Sequence, residues 1–342
     1  MKALTENELD AFLRTLVPEY KVLAPVALHD GTRALRDIEE GAIALAGGRT
    51  AEKPLSVFFP HYEEILALET GGDGGGCAAL PERSPAVRSL IVGLTAEDAE
   101  ALAFTDRFFA AHYRDQPYFS KRDLAEIVVV SGRCGPDGAF LRIAGGNCDL
   151  ELISDGSVYW AVPYSDAGRK LEARMPGDAR NVPLEALQHE SDALPDADRV
   201  LLERASELIR AHAVPDAFWE AIADRCIACT ACNMVCPACT CFDVVDVRDD
   251  GVVRRCRLWD SCQLDGFARE ASGHNPLGTE GLRTRRRIHH RLVADLERWG
   301  RITCFLGGRC DEVCPSGIGM KSVAGAIVRQ CGETAPPRVP AP

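Results

Sequence analysis

Behind Thr5-Glu6-Asn7-Glu8, the apolar residues Leu9, Phe12, Leu13 and Leu16 recur at three- and four-residue intervals. This is the pattern of an amphipathic helix opened by a capping box, in which Thr5 accepts a backbone N–H bond and Glu8 reaches back. Short apolar runs follow, Leu55-Ser56-Val57-Phe58-Phe59, Ser89-Leu90-Ile91-Val92 and Glu126-Ile127-Val128-Val129-Val130, each predicting a strand. Helical stretches such as 96–111 lie between them, and the alternation predicts a mixed α/β fold for the first part of the chain. Two glycine-rich segments could imitate a phosphate cradle. Gly71-Gly72-Asp73-Gly74-Gly75-Gly76 has no strand leading in and no helix leading out, so it predicts a loop. Gly132-Arg133-Cys134-Gly135-Pro136-Asp137-Gly138 follows a strand, but 139–143 reads as another strand, which predicts a hairpin and not a dinucleotide turn. No nicotinamide or flavin fingerprint is present. A helix-rich segment, 196–223, leads into the last third, and residues 332–342 read as a disordered tail.

Composition sharpens this picture at one place. The 342 residues are 46% hydrophobic and 26% charged, enough to bury a core, and the length favours two domains. The opening MKALTENELD lacks the apolar core of a secretory signal, and no stretch offers the ~20 uninterrupted apolar residues of a membrane span. A cytoplasmic protein without a membrane partner is the expectation. Of 15 cysteines, only Cys77, Cys134 and Cys148 precede residue 216. Charge divides there too: 17 Lys and Arg stand against 16 Asp and Glu from Asp216 onward, leaving 22 against 35 before it. We therefore expect an α/β domain over 1–215 and a cysteine-rich domain over 216–331. The acidity of the first argues against a nucleic-acid partner. So many thiols in a reducing compartment point to metal and away from disulfides.

Cys226, Cys229, Cys232 and Cys236 with Pro237 form C-x2-C-x2-C-x3-C-P. In this ferredoxin spacing three thiolates surround one cubane cluster and the fourth, turned away at the proline, ligates another. Cys304, Cys310 and Cys314 with Pro315 form a reciprocal C-x5-C-x3-C-P, with Gly307 where the first motif has its second cysteine. Crossed ligation assigns Cys226, Cys229, Cys232 and Cys314 to one 4Fe-4S cluster, and Cys236, Cys304 and Cys310 to a second. The second set is one ligand short. It could be a 3Fe-4S cluster, or a 4Fe-4S cluster whose odd iron takes water, Asp311 or another cysteine, or it could be missing. Cys239, Cys241, Cys256 and Cys262 are possible extra ligands: each taken singly reads as a buried inert thiol, but as a group they point to ligation. Cys77, Cys134, Cys148 and Cys331 read as unligated. A structural zinc site is the bland alternative, though it has little use for seven or more cysteines.

The basic run Arg283, Arg285, Arg286, Arg287, His289, His290 and Arg291 lies on a predicted helix and reads either as a solvated face or as a docking surface for acidic partners. His274 reads as a turn residue bonded through its backbone, and Trp259 and Trp299 as core. No catalytic triad or paired carboxylates can be argued from the sequence.

Residues 225–232, 235–243, Trp259-Asp260-Ser261-Cys262, Ala271-Ser272-Gly273-His274-Asn275 and Gly308-Arg309-Cys310 resemble the 4Fe-4S dicluster beta subunits of cytoplasmic sulfhydrogenases and the related A subunit of anaerobic sulfite reductase. The likeness is specific over 221–320 and weaker around Phe58-Phe59-Pro60-His61-Tyr62-Glu63 and 106–118. It implies a ferredoxin-like dicluster domain with a long insert, hence an α+β protein overall. It also implies an electron-transfer subunit between a flavin subunit exchanging electrons with NAD(P)H and a catalytic subunit with a nickel–iron or sirohaem centre. The family commonly has Arg-Pro-Cys-Asp where this chain has Thr95-Ala96-Glu97-Asp98, Cys-Phe-Cys where it has Ala139-Phe140-Leu141, and a cysteine in place of Gly307. The first domain is then expected to be a docking platform without redox groups. The competing expectation is an enzyme that uses an incompletely ligated, site-differentiated cluster as its catalytic centre.

Overall fold

The computed structural model describes residues 1–69, 78–79, 87–177 and 183–332. The Gly71–Gly76 loop, Cys77 and nearly all of the 332–342 tail lie outside them. The chain separates into two compact units, one comprising Met1–His61, Ile65–Leu194 and Arg248–Arg254, the other Tyr62–Glu64, Pro195–Val247 and Arg255–Pro342.

The first unit is built on a mixed sheet. Its four central strands, Lys21–Ala27, Ser89–Leu94, Ala125–Arg133 and Leu150–Ser154, are mutually parallel. Their near-continuous apolar runs are what burial on both faces demands. Arg33–Asp37 adds antiparallel at one edge, and Tyr159–Pro163 followed by Ala3–Leu4 at the other. Helix Ala96–Ala110 makes the crossover between two central strands, its first turn capped by the Thr95 hydroxyl accepting from the Asp98 N–H. Helix Glu6–Arg14 carries the expected capping box, and Leu9, Phe12 and Leu13 enter the core with Leu90, Val92, Val128 and Leu150. The glycine-rich segment before residue 140 is a hairpin, since Phe140–Leu141 pairs antiparallel with the end of Ala125–Arg133.

One predicted strand is corrected. Leu55–Phe59 is no strand, because the chain takes a 3-10 turn over Pro54–Val57. Pro54 has its ring-fixed φ at the first turn, where a missing N–H costs nothing. The apolar run earns its burial through aromatic packing instead, with Phe58 against Tyr118 at 6.0 Å and Phe59 against Phe109 at 5.6 Å between ring centroids.

The second unit is helical around its own core. Helices Ala197–Arg210, Asp216–Ala223, Glu280–His289 and Met320–Cys331 bury Leu208, Trp219, Ile288, Val323 and Ile327 together. The basic helix continues through a π turn, His290–Ala294, into Asp295–Trp299. Ser206 Oγ donates to the Leu292 carbonyl at 2.5 Å in that turn, satisfying a buried acceptor. Of the paired strands Phe242–Asp249 and Val252–Trp259, the parts outside Arg248–Arg254 belong to this unit, as does Tyr62–Glu64, where Glu63 takes a buried ion pair from Arg257 at 2.5 Å. Cys226, Cys304, Cys310 and Cys314 pack against the helical core, so the cysteine loops are anchored on it.

Candidate metal centres

The two cysteine loops repeat one backbone path. Ala228 (φ 51°) and Thr230 (φ 62°) are left-handed two and four residues after Cys226; Leu306 (φ 60°) and Gly308 (φ 69°) are left-handed two and four residues after Cys304. Short helices, Ala231–Met234 and Arg309–Glu312, then begin at matching offsets. Left-handed geometry at Ala, Thr and Leu costs of order 1 kcal/mol each, and such strain persists only where the surroundings over-determine it. Gly307 occupies the position of Cys229 in this internal repeat, so the second loop keeps the path although it lacks that cysteine.

The loops open onto two hollows. The first is lined by Cys226, Cys229, Cys232 and Cys314, with Gln263, Thr284 and Arg287. The second is lined by Cys236, Cys304 and Cys310 together with Cys239, Cys241 and Cys262. Cys232 and Arg287 border both. Among the described residues no three His, Cys, Asp or Glu side chains converge as a single metal ion would need. Cys256 stands elsewhere, buried with its Sγ 2.9 Å from the Tyr62 hydroxyl.

Burial pushes the Cys232 and Cys304 thiols up to about 12, and raises Cys310 as well. Cys236 is raised by its hydrogen bond to Cys239 and by burial. Cys262 is pulled down by the hydrogen bond it shares with Cys241, and the Asn233 amide donates to its sulfur at 3.2 Å. Other donors reach the sulfurs too: the Met320 N–H lies 3.4 Å from Cys310, the Ile318 N–H 3.5 Å from Cys314 and Arg291 Nη2 3.4 Å from Cys239. Bonds of this kind steady ligating sulfurs and moderate the charge of what they hold.

The basic run is the second correction. Arg283, Arg287 and Arg291 are buried, so the run is not simply a solvated or docking face. Arg291 is neutralised by Asp295, to which its Nη1 donates at 3.1 Å, and it also donates to Thr303 Oγ1 and the Ala238 carbonyl. Arg287 donates to the Ile318 carbonyl at 3.3 Å and forms no ion pair with a carboxylate among the described residues. Burial works against its charge, yet its pKa is raised because Cys232, Cys310, Cys239 and Cys236 surround it. A buried, uncompensated guanidinium is costly, and its charge requires anions in the hollows. Thiolates on an iron–sulfur cluster meet this need, because coordination deprotonates the thiol outright and the cluster adds negative charge. The residues present therefore fit such a group. Arg287, Arg291 and Asn233 escape a sequence reading that looks for ligands alone.

The remaining candidates are placed apart from the hollows. Cys331 is buried in the helical core, and the Cys134 thiol donates to the Ser131 carbonyl at 3.2 Å in the first unit. Burial pushes Cys134 and Cys148 up to about 12. His274 sits in the expected turn, its carbonyl accepting from the Glu270 N–H at 2.9 Å. Trp259 and Trp299 are half-buried and not core residues.

Comparison with known proteins agrees with this geometry. Residues 225–318 match the family described as 4Fe-4S dicluster domain. Over 102 residues the chain is 37% identical to sulfhydrogenase 2 subunit beta of Pyrococcus furiosus, a match covering 29% of this chain and 30% of that protein. No solved structure matches the chain. Among the described residues no helix is long and apolar enough to cross a membrane. Residues 225–318 thus match a 4Fe-4S dicluster domain, and a stretch of 102 residues is similar to a sulfhydrogenase beta subunit.

Proposed function

We propose that the protein is an electron-transfer subunit in which Cys226, Cys229, Cys232 and Cys314 hold one 4Fe-4S cluster, and Cys236, Cys304 and Cys310 hold a second iron–sulfur cluster. The observation that carries this reading is the crossing of the motifs: Cys314 lines the hollow of the first loop, while Cys236 lines that of the second. When bound, such clusters accept and donate single electrons. The chain's own part is to hold, charge-balance and dry them. Cysteine thiolates bind, Arg287 supplies buried positive charge, Arg291 donates to the Cys239 sulfur, and the apolar floor of Ile318, Met320 and Phe305 keeps water away.

The reading extends to a cytoplasmic heteromeric oxidoreductase of hydrogenase or sulfite reductase type. There the subunit relays electrons between a flavin/NAD(P)H-binding subunit and a catalytic metal-centre subunit, and the first unit serves as a docking platform. The relative's printed name, a beta subunit of a sulfhydrogenase, supports a place in such an assembly. The test is anaerobic purification of the full chain with its native partners. About eight irons with matching acid-labile sulfide, and paramagnetic signals that appear on reduction and do not respond to substrates, are expected. Colourless protein with stoichiometric zinc, or a signal altered by substrate binding to the isolated subunit, would overturn the proposal.

A further inference from the structure

The second hollow holds more sulfur than the crossed motif provides and lacks it at one position. The backbone repeat puts Gly307 where the first loop has Cys229, so the second set of Cys236, Cys304 and Cys310 is one side chain short. Gly307 is not left-handed, and a Cβ built on it meets Pro237 Cγ at 4.0 Å and Arg309 Nη1 at 3.4 Å, ordinary contacts. A side chain there would therefore stand against the turn that follows Cys236.

That turn brings in another thiol. The Cys239 N–H donates to the Cys236 carbonyl at 3.1 Å, closing the chain around Pro237 and bringing Cys239 into hydrogen-bond contact with Cys236 itself. Cys239 lines the same hollow as Cys304 and Cys310. Its Sγ accepts from Arg291 Nη2 at 3.4 Å, a bond of the kind that orients a ligating sulfur. The other thiols of the hollow, Cys241 and Cys262, hydrogen-bond to each other and not to Cys236. Asp311 is spent on the start of helix Met320–Cys331, accepting from the Lys321 and Ser322 N–H groups at 3.2 and 2.9 Å and from Ser322 Oγ at 2.7 Å.

The geometry points to Cys239 as the fourth thiolate of the second cluster, taking the ligand role that Gly307 cannot. The assignment rests on the two-cluster reading above and makes that cluster a fully ligated 4Fe-4S cubane, with no iron left open. Cys239 releases its proton to solvent on binding.

The test is reconstitution of the full chain with ferrous iron and sulfide under anaerobic conditions, read by iron and sulfide content and by electron paramagnetic resonance. The wild-type chain should hold two 4Fe-4S clusters. Cys239→Ser should lose the second, or keep it only as a 3Fe-4S species, while the first cluster's signal persists and shows that the variant is folded. Cys239→Ser combined with Gly307→Cys should regain the second 4Fe-4S signal, because the thiol is returned at the repeat position. Two full clusters in Cys239→Ser would overturn the assignment, as would their loss in Cys262→Ser but not in Cys239→Ser, or a double variant that recovers nothing. A wild-type chain without iron would instead overturn the function proposed above.

Discussion

Arg287 is the most informative residue to change, because it borders both hollows and forms no ion pair with a carboxylate among the described residues. Arg287→Met removes the charge while keeping an unbranched side chain that can fill the space. A unit charge about 7 Å from a cluster centre, at an effective dielectric near 20, is worth about 2.4 kcal/mol. For a one-electron couple this corresponds to roughly 100 mV. A reduced cluster is the more negative form, so a nearby cation stabilises it and raises the potential. Removing the cation should lower both midpoint potentials by about 100 mV, within a factor of two. Arg285→Met is the control with equal formal charge. That residue lies on the outer side of the same helix, paired with Asp216 at 3.0 Å and with its side chain 39% exposed. Exposed to water, its effect should be several-fold smaller, only about 0.3 kcal/mol or roughly 12 mV if a separation of about 15 Å is taken, and smaller still in salt. Potentiometric titration of the anaerobic full chain, followed by paramagnetic resonance, measures both. Potentials in Arg287→Met within about 20 mV of the wild-type values, or equal shifts in the two variants, would refute the claim that Arg287 is the counter-charge of the clusters.

Three further outcomes follow from the geometry. Cys229→Ser should lose one whole cluster's signal and about four irons, whereas Cys331→Ser, in the helical core, should leave the iron content unchanged. Gly168→Ala should destabilise the first unit by about 3 kcal/mol or more in urea titration, since a Cβ there would lie 1.8 Å from the Asp149 carbonyl oxygen, and backbone must move. Anaerobic chelation of iron should strip amide protection from 226–236 and 304–314, where buried Arg287 loses its anions, while strands Ser89–Leu94 and Ala125–Arg133 keep theirs in hydrogen exchange.

What could be read in the sequence and what could not divide along a physical line. The capping box at Thr5, the strands Ser89–Leu94 and Ala125–Arg133 and the hairpin at Phe140 are local patterns, and each is where the sequence puts it. Leu55–Phe59 was misread because five apolar residues satisfy a strand template and an aromatic cluster equally well, and Tyr118, which decides the matter, is 59 residues beyond Phe59. The two cysteine motifs repeat one backbone path for a different reason: each is a short segment whose geometry is nearly local, with left-handed residues at matching offsets.

The arginines were illegible as long as charge was weighed without its spacing. A helix row can bury cations only if something anionic lies in front of it, and that partner leaves no trace in hydrophobic periodicity. The spacing nevertheless holds the clue. Arg283, Arg287 and Arg291 fall four residues apart, with Thr284, Ile288 and Leu292 beside them, and all six are buried, whereas Arg286 between them is exposed. A solvated face would have set its charges on the side opposite Ile288 and Leu292. Here the row of cations adjoins the apolar stripe, so the helix turns positive charge inward. Of the three, Arg283 and Arg291 meet carboxylates, Glu280 and Asp295, so it is Arg287, at the middle of the row and on both hollows, that is better read as counter-charge for what the thiolates hold than as part of a surface for partners.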